Sequence, residues 1–96
     1  MRRFKSRVLA CVDRGLSHLG ENVKHVIYWY LKREFNTDVD AIADKPEIFM
    51  RLLERIYGSG VNVIERCIVE EISKEFKIEA NDFIEAVKKA KKVSKS

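Results

Sequence analysis

Apolar residues recur at spacings of three and four along most of this chain, and no stretch shows sustained alternation of apolar and polar residues. That pattern favours helices and leaves no place for a half-buried strand. One proline and four glycines in 96 residues leave room for few turns. The expected fold is therefore all-α: a compact bundle of four to five helices in a single domain over residues 1–93, with 94–96 a frayed basic tail.

The breaks in the pattern place the helices. Phe4, Val8, Cys11/Val12, Leu16 and Leu19 form a stripe over residues 3–19. Gly15 lies inside it at a cost of about 1 kcal/mol relative to Ala, which points to close packing against a neighbour. Gly20 closes this helix and Glu21 suits the positive end of the next. Over residues 36–45, Thr37, Asp38, Asp40 and Asp44 favour backbone-bonded turns, so an ordered connector pinned by Ile42 is expected, with room for one short helical turn. Pro46 opens a third helix with the stripe Ile48/Phe49, Leu52/Leu53 and Ile56. Ser59 is the expected cap of a fourth, whose stripe is Val61, Ile64, Ile68, Ile72 and Phe76. A fifth follows from about Asn81, with Phe83/Ile84, Val87 and Ala90 inward.

The second helix, ENVKHVIYWYLKREF at residues 21–35, stands apart. Val23, Val26/Ile27, Tyr30/Leu31 and Phe35 make its stripe, while Tyr28 and Trp29 fall beside or outside it. A helix so nearly apolar all round is either central to the core or covered by a second surface such as another subunit. Tyr28, Trp29 and Tyr30 step by about 100° around the helix, so they cannot all face one small core. Tyr and Trp carry polar handles that suit interfaces, which makes these three the interface candidates of a homo-oligomer or of a contact with another protein.

The residues that carry chemistry are few. Cys11 and His18 stand seven apart on one helix face, about 10 Å along the axis and too far for a hydrogen bond. Cys11, Cys67, His18 and His25 lack the close pairs of a zinc site. Asp38, Asp40 and Asp44 lack the central Gly and closing Glu of an EF-hand. Gly58-Ser59-Gly60 lacks the Lys of a P-loop. No catalytic residue, metal, cofactor or small-molecule substrate is expected. Gln is absent, Thr occurs once, and Lys, Arg and Glu carry most of the charge, a bias seen in proteins from hot habitats. In that setting Cys11 and Cys67 are open to pairing, although each sits at an apolar position that suits a buried reduced thiol.

The net charge of +4 is unevenly held. Arg2, Arg3, Lys5 and Arg7 at one end and Lys88, Lys89, Lys91, Lys92 and Lys95 at the other are nine of the 19 basic residues; the other ten oppose all 15 acidic ones, so residues 8–87 are net −5. If the ends lie together they offer phosphates a basic surface, and non-specific nucleic-acid binding by a chromatin-type or regulatory protein is the alternative function. A helix-turn-helix through Gly58-Ser59-Gly60 is excluded, because Glu65, Glu70, Glu71 and Glu75 outnumber Arg66 and Lys74 on its reading helix. The Met-Arg-Arg start leads into an amphipathic segment, and no apolar run nears the roughly 20 residues of a membrane span. A cytoplasmic protein is expected.

Leu19-Gly20-Glu21-Asn22-Val23-Lys24, Ile27-Tyr28, Lys45-Pro46-Glu47-Ile48-Phe49, Ile56-Tyr57-Gly58-Ser59-Gly60 and Ile64-Glu65 together resemble small archaeal all-helical domains of uncharacterised function, which occur alone or as signal-output modules of larger proteins. The resemblance spans residues 19–76 and rests on caps and core positions. It implies an all-α fold and an archaeal, cytoplasmic origin, and brings no catalytic or ligand-binding residue with it. The basic ends lie outside it.

Overall fold

Gly15 lets two helices cross almost in backbone contact: a methyl group there would stand 2.9 Å from the Ile68 Cα. The computed structural model that shows this describes residues 2–36 and 40–95, apart from the side chains of residues 2, 3, 35 and 95. The expectations placed on Thr37, Asp38 and Val39, and on the side chains of Arg2, Arg3, Phe35 and Lys95, lie outside the described residues.

The crossing helices are α1 (Arg2–Ser17) and α5 (Val61–Phe76). They run antiparallel, since Arg7 meets Glu75 where Gly15 meets Ile68. On α5 the whole expected stripe of Val61, Ile64, Ile68, Ile72 and Phe76 is buried. Val8, Cys11, Val12 and Leu16 answer it from α1. Around this pair lie α2 (Glu21–Phe35), the short α3 (Asp40–Asp44), α4 (Pro46–Tyr57) and α6 (Phe83–Lys95). The described residues contain no strand, so the all-α bundle holds, with five long helices and one five-residue turn of helix in the connector. Ile42 pins that turn as expected, with none of its side chain exposed.

One local expectation needs correction. Ser59 caps nothing: Gly58–Gly60 is a turn of 3₁₀ helix, and Gly60 stands at the N-terminus of α5 without a side-chain cap. At the start of α6 the capping side chain is that of Asp82. The Asp82 carboxylate accepts the Glu85 amide at 2.8 Å, and the Glu85 carboxylate accepts the Asn81 amide at 2.7 Å, one residue before the amide that a capping box would engage. The amide of Phe83, unsatisfied within its own helix, donates to Glu65 on α5 at 2.9 Å and ties the two helices together. At the other end α6 continues to Lys95.

For α2 the structure rules out the central placement. It lies against α1 and α4 at the edge of the bundle, and the centre belongs to the α1–α5 pair, around which the other helices pack. Of the described side chains of α2, only Ile27 and Leu31 are fully buried. Val26, expected in the inward stripe, faces outward.

Candidate interaction surface

Both edges of α2 are tied down. Toward α1, the Tyr28 hydroxyl lies 3.4 Å from Asp13 Oδ1, and Lys24 Nζ reaches Asp13 at 3.3 Å and Glu21 at 3.1 Å. Burial, with the Asp13 charge beside it, pushes the Tyr28 phenol well above its ordinary range. Toward α4, Glu34 pairs with Arg55 at 3.4 Å, and Tyr30 enters a cleft shared with Leu52, Arg55 and Ile56.

What these ties leave outward is a face of Asn22, His25, Val26, Trp29, Lys32 and Arg33, all exposed. Trp29 is 54% and Val26 41% exposed, two of the four large apolar side chains that the described residues leave open. The indole is held rather than loose. Tyr30 meets it edge-on at 5.0 Å with an interplanar angle of 87°, and the Arg33 guanidinium lies 5.0 Å above its ring. Such contacts favour one rotamer and leave this part of the surface ordered. The three consecutive aromatics are thus sorted: Tyr28 inward to α1, Tyr30 into the α4 cleft, Trp29 to the outside. Val26 and Arg33 were missed as members of this face. At 100° per residue they fall about 60° and 40° from Trp29, so the signal was in the spacing.

The basic ends fare differently from each other. Lys5 pairs with Asp44 at 3.1 Å. Arg7 bonds Glu75 through its carboxylate at 2.9 Å and its carbonyl at 3.2 Å, and lies 4.2 Å over the Phe76 ring. Both are engaged within the bundle. At the other end Lys88, Lys89, Lys91 and Lys92 are exposed on α6, where Lys89 bonds the Glu79 carbonyl at 2.8 Å and Glu85 at 3.5 Å.

Cys11, Arg14 and His18 meet on Glu71 of α5. The Cys11 thiol faces the Glu71 carbonyl at 3.6 Å; Arg14 and His18 approach the Glu71 carboxylate at 3.0 and 3.2 Å. The hydrogen bond from Arg14, with that from His18, holds this carboxyl below its ordinary range. Burial pushes the Cys11 thiol up to about 11, so it stays protonated at neutral pH and is no activated nucleophile. Cys11 and Cys67 are both free. Among the described residues no group of three or more His, Cys, Asp or Glu is placed to hold a metal, and no helix is long and apolar enough to cross a membrane.

The fold is shared with a solved structure. The crystal structure of PH0832 from Pyrococcus horikoshii OT3 matches with a TM-score of 0.88 at 18% identity, over 98% of this chain and 99% of that one. No family model and no curated protein matches the sequence. At this identity the likeness speaks for the fold, which an archaeal protein shares from end to end.

Proposed function

We propose that this chain is a non-catalytic helical interaction module of the signal-output kind, working in the cytoplasm, whose docking surface is the outer face of α2. The observation that carries the reading is Trp29, more than half exposed yet fixed between Tyr30 and Arg33 and continuous with Val26. Trp, Tyr and Arg are the residue types that dominate binding energy at interfaces, and an ordered aromatic anchor loses little entropy on docking. A photoreactive amino acid at position 29, in cells producing the protein, is expected to give a discrete crosslinked species. The same group at Glu47, exposed on α4, is expected to give none. Equal yields at the two positions would remove the reading.

A second reading is favoured by Lys88, Lys89, Lys91 and Lys92 sharing the exposed side of α6. On it the protein binds nucleic-acid phosphates without sequence preference, and since Lys5 and Arg7 are engaged internally, α6 carries the contact. A gel shift at low salt that K88E/K91E abolishes supports it; no shift at low salt rejects it.

A further inference from the structure

The outer face of α2 is complementary to itself. Glu21 and Lys32 are eleven residues apart, three turns and about 20°, so they stand on one edge of that face about 16 Å from each other. Glu21 has 64% of its side chain exposed, and Lys32 is exposed with no ion-pair partner among the described residues. Val26 and Trp29 lie between them, with their midpoint within one residue of the Glu21–Lys32 midpoint.

Antiparallel helices related by a two-fold axis bring each edge against the same edge of the other copy. An axis crossing α2 near residues 26–28 sets Glu21 against the partner subunit's Lys32, and Lys32 against the partner subunit's Glu21. The same axis sets Trp29 on the partner's Val26, twice by symmetry, and Arg33 beside the partner's Asn22. No like charges oppose each other in this register. A parallel arrangement sets Lys32 and Arg33 against their own copies, and so is disfavoured. Tyr28 turns toward α1, and Tyr30 lines the cleft beside α4 while its ring supports the Trp29 indole.

We infer that α2 docks antiparallel on α2 of a second copy of this chain, across a two-fold axis between Val26 and Trp29, with Glu21 and Lys32 paired between subunits. This rests on the reading of the α2 face as a docking surface. The test is sedimentation equilibrium of the intact chain and of E21K, K32E and the double variant, with circular dichroism as a check on folding. The intact chain is expected to dimerise. Each single variant opposes like charges twice and should weaken the dimer about tenfold, and the double variant should recover most of that loss. Both single changes also oppose the helix dipole, so if they acted by fraying α2 the double variant would be the weakest of the three. That order overturns the register, and a monomer at every concentration overturns the self-docking. Photocrosslinks from position 29 to a different protein would then leave the interaction reading standing, and their absence would remove both.

Discussion

A methyl group at Gly15 is the smallest change that reaches the centre of this molecule. Alanine is the better helix former by about 1 kcal/mol. Its Cβ, however, would meet backbone of α5 at 2.9 Å, which a rotamer change cannot relieve. Overpacking of this kind costs about 1–3 kcal/mol, so G15A should lower the midpoint of thermal unfolding by several degrees. An unchanged or higher midpoint would mean that the helices part freely. Cys11 makes a second claim at this scale. Buried, and with its thiol held up at about 11, it should react far more slowly with iodoacetamide at pH 8 than the half-buried Cys67, and mass spectrometry of the partly labelled protein would show which is modified first.

Two elements depend on single carboxylates. D82A removes the acceptor for the Glu85 amide and should cost about 1 kcal/mol of stability in denaturant unfolding. N81A keeps the backbone amide that Glu85 binds and should cost much less. On the α1–α5 seam, Glu71 has a folded pKa below its unfolded value, because Arg14 and His18 bond its charged form. Its stabilisation is therefore present above the ordinary carboxyl range and is lost as pH falls through the depressed folded value. E71Q should be less stable than the unaltered chain at pH 7, and the gap should close on acidification. A gap of constant size would contradict the charge-assisted account.

For the molecule as a whole, periodicity was enough to locate five long helices, because Gly20, Pro46 and Gly58 end or begin them for local reasons and each helix repeats its apolar face every three to four residues. It was not enough to rank them. Apolar bulk left α2 either central or covered from outside, whereas the close crossing is marked by a single glycine, Gly15 against the backbone of Ile68, which a hydrophobic pattern undervalues. The start of α6 was placed only at about Asn81 because Asn81 and Asp82 are equally good cap types and only geometry separates them. The partners of Lys5 and Arg7 are 39 and 68 residues away, beyond any pattern on one helix. The candidate surface was half legible: steps of 100° show that Tyr28, Trp29 and Tyr30 must diverge, but which one stays outside depends on where α1 and α4 lie. Trp29 is the sole tryptophan, so it reports on that surface directly. In a dilution series followed by acrylamide quenching, it should be readily quenched in dilute protein and become protected as concentration rises, with the mass doubling over the same range. Protection already present in the monomer, or quenching that never changes while the mass doubles, would contradict docking through α2.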